Sequence, residues 1–137
     1  MKTNKTILLL EDDKVDAMTV RRAMNELKIA NPLKHVFNGI EGLEYLQDSA
    51  NEVPCIILLD LNMPKMNGLE FLKVIKQDPI LKKIPVIVLT TSNAEKDKIE
   101  SFSLSVAGYM LKPVDYTKFV VVIKDINLYW TLSEIPY

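Results

Sequence analysis

Cysteine is almost missing from this chain of 137 residues: Cys55 is the only one. No internal disulfide can form, and a lone cysteine opening an apolar run reads as a small buried residue rather than a catalytic thiol. Long hydrophobic runs are absent too. None reaches the ~18–20 residues of a membrane span. The opening Met1-Lys2-Thr3-Asn4-Lys5-Thr6 leads into a run too short for a signal peptide. A cytoplasmic protein is expected. Charge of one sign is lacking: 17 Lys and Arg stand against 18 Asp and Glu, for a net charge of -1. A polyanion-binding protein is usually basic, so nucleic acid is not expected as a direct ligand, nor is a membrane. Repeats, linkers and low-complexity tracts are absent. The length allows one domain over 1–137, with a slightly extended C-terminal helix and tail at about 126–137.

What is present alternates. Short continuous apolar runs, the mark of strands buried on both faces, occur at Ile7-Leu8-Leu9-Leu10, Ile56-Ile57-Leu58-Leu59 and Val86-Ile87-Val88-Leu89. Leu33 to Val36 and Tyr109-Met110-Leu111 read as two shorter strands. Helical spacing fills the intervals. The first helix is expected over 14–28, with Val15, Met18, Val20, Ala23, Met24 and Leu27 on its apolar stripe. The second covers 40–48 with Ile40, Leu43 and Leu46. The third, about 68–76, carries Leu69, Leu72, Val74 and Ile75. A fourth is expected at 95–104 and a fifth from about Asp115 to Leu132. Five buried strands alternating with five helices imply an α/β fold, (βα)₅, with a parallel sheet covered on both faces as a three-layer sandwich.

In such sheets functional groups gather beyond the carboxyl ends of the strands. Glu11-Asp12-Asp13 follows strand 1, Asp60 follows strand 3, Thr90-Thr91-Ser92 follows strand 4 and Lys112 follows strand 5. On a parallel sheet these converge on one rim. Clustered carboxylates repel, and each resists ionising. A hard divalent cation resolves this, and Mg²⁺ takes oxygen ligands. Asp12 and Asp60 could bind it directly and Glu11 through water. Phosphoryl transfer needs mostly positioning and charge neutralisation. A carboxylate nucleophile, a lysine for a phosphate oxygen and a threonine hydroxyl for another are the parts it uses. Each residue alone has a plainer reading. Asp12 or Asp13 could cap a helix, Asp60 could open a loop, Thr90 could sit in a turn and Lys112 could be a solvated lysine. Their joint placement after four buried strands favours the site.

The segments ILLLEDD (7–13), ILLDLNMPKMNGLEFL (57–72), VIVLTTS (86–92) and GYMLKP (108–113) together resemble the receiver domains of bacterial response regulators, over about residues 6 to 125. The resemblance implies a flavodoxin-like fold with strand order 2-1-3-4-5. It implies Asp60 as phosphoacceptor and Glu11 and Asp12 as the acidic pair, Asp12 being the direct ligand of Mg²⁺. The backbone carbonyl of Asn62 becomes a further metal ligand, Thr90 the switch hydroxyl, Lys112 the phosphate-binding lysine and Tyr109 the aromatic switch. It implies a Lys112–Pro113 bond of the usually cis kind, and assigns Asn62 and Ser92 to tuning of the acyl-phosphate lifetime. Glu11 departs from the commoner Asp. Ser105 departs from a glycine that often has φ > 0, which marks the end of helix 4 as altered or strained.

The resemblance makes a sensor histidine kinase the phosphodonor. A weaker likeness is to single-domain receivers that serve phytochrome-like histidine kinases. No output domain is expected beyond the receiver, so output is expected through protein contacts or phosphate relay. On the last helix Phe119, Val122, Ile123, Ile126, Tyr129 and Trp130 share a core face. Val121, Leu128 and Leu132 fall opposite, an apolar stripe suited to a homodimer contact. Three other readings compete. A haloacid-dehalogenase-like phosphatase wants a second Asp where Asn62 stands. A flavin-binding module wants a hydroxyl- and glycine-rich loop where Glu11-Asp12-Asp13 stands. A receiver that signals without phosphorylation would not need the complete site.

Overall fold

The computed structural model describes residues 5–132. Five parallel strands form one sheet in the order β2-β1-β3-β4-β5. They are β1 (Ile7–Leu10), β2 (Leu33–Val36), β3 (Ile56–Leu59), β4 (Val86–Thr90) and β5 (Gly108–Leu111). The helices are α1 (Lys14–Glu26), α2 (Gly39–Gln47), α3 (Gly68–Ile75), α4 (Glu95–Ser103) and α5 (Tyr116–Leu132), with a short 3₁₀ turn at Leu81–Lys83. The turn is the one element absent from the sequence reading; three residues are too short to carry a periodic signal. Residues 133–137 of the expected tail, and the side chain of Leu132, lie outside the described residues.

Every residue of β1, β3 and β4 is buried. Alternate side chains feed two cores. Ile7, Leu9, Ile56, Leu58, Ile87 and Leu89 pack with residues of α1 and α5, including Ala23, Ile123 and Trp130. Leu8, Leu10, Ile57, Leu59, Val86 and Val88 pack with Phe71, Leu72 and Ile75 of α3. Burying one such side chain stabilises by about 1.5–3 kcal/mol, so continuous apolar runs are affordable only where both faces are covered.

Several helix faces differ from the expected ones. Val15 and Met18 are about 70% exposed, because the buried stripe of α1 is Ala17, Val20, Ala23 and Met24. The 15/18 pair lies on the opposite side at about 100° per residue. Ile40 and Val74 are also exposed, and Phe71 is fully buried in place of Val74. On α5 the buried residues are Phe119, Ile123, Ile126 and Trp130, and Val122 is half-buried. Tyr129, expected in the core, is 50% exposed. It stands about 90° from the centre of the buried stripe, at the boundary of that face.

Local chemistry ends the helices where it should. Asp13 caps α1, its carboxylate accepting from the N–H groups of Val15 and Asp16. Asn67 and Glu70 form a reciprocal capping box at α3. Ser105 has φ of 61°, as the departure from glycine foretold. The Val106 N–H reaches the Ser101 carbonyl and the Ser105 N–H reaches that of Phe102, a Schellman ending built without glycine.

All five strands run parallel, and the order in which they are added reverses at β1, which is flanked by β2 on one side and β3 on the other. The crevice at that switch point is where ligands bind in open α/β sheets. One glycine shapes its floor. A Cβ on Gly68 would stand 2.6 Å from the Asp60 carbonyl oxygen and 2.8 Å from the Leu61 Cα. Both are backbone atoms that cannot swing aside. Gly68→Ala should destabilise the fold by about 1–3 kcal/mol through this overpacking. A lower urea midpoint at unchanged slope would register it.

Candidate functional site

The sheet brings the expected residues to one rim. Glu11 leaves β1, Asp60 leaves β3, Thr90 ends β4 and Lys112 follows β5. Backbone bonds hold the strand ends in step: Asp60 N–H to the Leu10 carbonyl at 3.0 Å, and Lys112 N–H to the Thr90 carbonyl at 2.9 Å. Asp60 is 6% exposed, Glu11 2% and Thr90 0%.

One Asp60 oxygen, Oδ1, accepts from the Thr90 hydroxyl at 2.7 Å, with the Asn62 N–H at 3.4 Å. The other, Oδ2, lies 3.3 Å from Lys112 Nζ. Lys112 also bonds Glu11 Oε1 directly, and Asp16 Oδ2 at 3.0 Å. Its side chain is 6% exposed. Burial pulls the Lys112 ammonium toward neutrality, but the Glu11 and Asp60 carboxylates outweigh this and hold it charged. Loss of this lysine would strand buried Glu11 and Asp60 without a countercharge, the kind of change that costs about 3–5 kcal/mol.

Because Asp13 takes the capping role at α1, Asp12 is released to face solvent beside the cluster. One carboxylate oxygen from each of Glu11, Asp12 and Asp60 lies within 4.8 Å of the others. Hard oxygens, converging and largely buried, fit a hard divalent cation of the Mg²⁺ class that keeps some of its waters. Glu11 takes part from a longer side chain, anchored by the Asp13 N–H on Oε2 at 3.1 Å.

The Tyr109 ring is half-buried against the α3-side core, and its hydroxyl donates to the Ser92 carbonyl at 2.9 Å. The Ser92 hydroxyl bonds Asp97 in the first turn of α4. Asn62 is exposed at the mouth of the site. The Lys112–Pro113 bond is trans, correcting the cis expectation: no cis bond occurs among the described residues. Trans is the isomer an X–Pro bond favours by about 0.5–1 kcal/mol.

Two residues escaped the sequence reading. Asp16 reaches Lys112 from the first turn of α1, where an acidic residue is an ordinary helix-start feature. His35, on β2, places Nε2 2.6 Å from the Glu11 carbonyl oxygen. A carbonyl only accepts, so the ring donates and carries its proton on Nε2.

The response regulator receiver domain family matches residues 7–124. The chain belongs to that family. Response regulator Rcp1 of Synechocystis is 38% identical over 130 residues, 92% of this chain and 88% of Rcp1. The probable methanogenesis regulatory protein FilR2 of Methanothrix harundinacea is 35% identical over 127 residues, 90% of this chain and 82% of FilR2. The phosphorylated cyanobacterial phytochrome response regulator RcpA superposes with a TM-score of 0.91 at 36% identity, over 98% of this chain and 100% of that one. The Mn²⁺-bound form of Rcp1 gives 0.89 at 37% identity, over 97% and 99%. The receiver fold and strand order expected from the sequence are those observed. Receivers are signalling domains that accept phosphate from histidine kinases.

Burial pushes the Glu11 carboxyl above the ordinary carboxylate range; the Lys112 hydrogen bond pulls it back, and the Asp60 charge adds to the rise. A cation that needs Glu11 ionised competes with the proton more as the pH falls. Mg²⁺ affinity should therefore fall as the pH is lowered through the acid-to-neutral range. Calorimetric titrations at several pH values in two buffers would detect the proton released.

Proposed function

We propose that this receiver takes a phosphoryl group from a sensor histidine kinase onto Asp60, with Mg²⁺, and signals through protein contacts that depend on the modification. The observation that carries this reading is the state of the Asp60 carboxylate. It is buried, held at one oxygen by Thr90 and at the other by Lys112, and faces two further carboxylates that can share a cation.

The chemistry assigns each residue a part. An Asp60 oxygen forms the new bond to phosphorus as the donor's P–N bond breaks and the electron pair leaves with the imidazole. With a small acyl phosphate, the P–O bond breaks and acetate leaves. Glu11, Asp12, Asp60 and the Asn62 carbonyl would hold the cation, which would offset negative charge on the transferring group. Lys112 and Thr90 donate to phosphoryl oxygens. Water attack on phosphorus later restores the carboxylate and frees inorganic phosphate. Asn62 and Ser92, at the site's mouth and on the β4–α4 loop, affect how readily that water arrives. The chain's own catalysis is limited to gaining and losing this group. A shift of Thr90 toward the phosphoryl group is passed to Tyr109 through the Ser92 segment that both contact.

Asn62 disfavours the phosphatase reading, since an amide cannot serve as the second acid that mechanism uses. The acidic loop at Glu11-Asp12-Asp13 disfavours a flavin phosphate.

Likeness to phytochrome response regulators supports a phytochrome-like histidine kinase as the donor. We further propose a homodimer through α5, where Val121 is 51% and Leu128 55% exposed on one side; Leu132 would continue that stripe. The cytoplasm is the setting, where such kinases present their phosphohistidine. Neither nucleic acid nor a membrane is needed for this output, and among the described residues no helix is long and apolar enough to cross one.

Incubation with acetyl phosphate and Mg²⁺ should add the mass of one phosphoryl group to the parent and none to Asp60→Asn. An unmodified parent, with acetyl phosphate and with any histidine kinase, would sink the assignment. In light scattering, Leu128→Asp should lower the oligomeric mass to that of a monomer; an unchanged mass rejects the α5 contact.

A further inference from the structure

Asp16 lies outside the four motifs that carry the family likeness, yet its Oδ2 accepts from Lys112 Nζ at 3.0 Å. An ammonium has three N–H donors. Those of Lys112 face Glu11, Asp16 and Asp60, so none is spare for an incoming phosphoryl oxygen. Two of these acceptors change when the site works. Glu11 and Asp60 belong to the carboxylate set that can share a cation, and Asp60 is the proposed acceptor, whose carboxylate would become an acyl phosphate. Asp16 is outside that set.

The Asp16 backbone is fixed on the first turn of α1, its N–H bonded to the Asp13 cap at 3.2 Å. Its side chain is 37% exposed, whereas that of Lys112 is 6% exposed. A stray surface ion pair contributes little because water replaces it readily. Here the lysine end is buried, and its partner comes from the far end of the chain. A cavity of about 380 Å³ opens beside the pair between α1 and α5, lined by Thr19, Arg22, Thr91 and Tyr116 as well as Asp16 and Lys112. A lysine stem is flexible enough to swing into it.

We infer that Asp16 is a positioning residue: it holds the Lys112 ammonium over Asp60 while Glu11 and Asp60 are drawn away, so that the freed N–H groups meet the phosphoryl oxygens. This rests on the reading of Asp60 as phosphoacceptor. The phosphoryl-transfer step is unchanged; Asp16 touches neither the donor nor phosphorus and acts only through Lys112.

The test follows phosphorylation of the full chain by acetyl phosphate, using intact mass over time at saturating Mg²⁺. Asp16→Asn should lower the maximal rate about fivefold or more while donor half-saturation stays within about twofold, the pattern of a lost transition-state interaction. Mg²⁺ affinity, measured by calorimetry, should also stay within about twofold, since Asp16 is not a ligand. Asp16→Glu, which keeps the charge, should recover most of the rate. A rate within twofold of the parent in Asp16→Asn overturns the inference. So does a loss carried wholly by Mg²⁺ affinity, or one that Asp16→Glu fails to restore. A parent that gains no phosphoryl group overturns the phosphoacceptor reading first and the positioning role with it.

Discussion

One buried ammonium organises this molecule's working end. Lys112 sits among Glu11, Asp16 and Asp60, and each of these arrives from a different element. Without it, the sheet would close its carboxyl rim on carboxylates alone, and their mutual repulsion would oppose the packing beneath. With it, the rim holds together while leaving negative charge in excess. That excess suits a divalent cation, and the phosphoryl group that follows suits the lysine. The same electrostatic arrangement therefore keeps the resting fold together and prepares it for reaction.

The apolar architecture makes this placement possible. β1, β3 and β4 are buried on both faces, so their register is fixed by packing on both sides. Leu10 pairs with Leu59, and the residues one step beyond, Glu11 and Asp60, must then emerge side by side. Asp13 caps α1 and Asn67 caps α3, and these local choices start both helices within a few residues of the site. His35 adds a bond from β2 to the Glu11 backbone, so the acidic loop is braced from its outer side as well.

Much of this was legible in the sequence, for a physical reason. Strands of a covered parallel sheet are short, apolar throughout and bounded by polar residues, so their ends can be read to within a residue. Glu11, Asp60, Thr90 and Lys112 stand at those ends. Ser105 was legible too, because a glycine-type position keeps its φ > 0 when another residue occupies it. The helix faces were read less well. Val15 and Met18 are apolar residues on the side of α1 opposite its buried stripe, and Tyr129 stands at the edge of that of α5, so apolar character alone misassigns them. Asp16 and His35 were not legible as site residues at all. Their partners lie 96 and 24 positions away, and nothing in their local pattern separates them from a helix-start acid and a strand residue.

The close approach at Gly68 has a mechanical meaning. The start of α3 abuts the Asp60 backbone, and its cap and the buried Phe71, Leu72 and Ile75 tie it to the core. Across the site, α4 has Ala94 at its N-cap position, with no side-chain cap, and buries only Ser101. The aspartate thus has a stiff wall on one side and a compliant one on the other. On that geometry, a change in its charge and volume would do little work against α3. On the proposed reading, the room to yield lies along the edge where Thr90, Ser92 and Tyr109 are bonded in series, so the response would be steered by where the domain is unable to give.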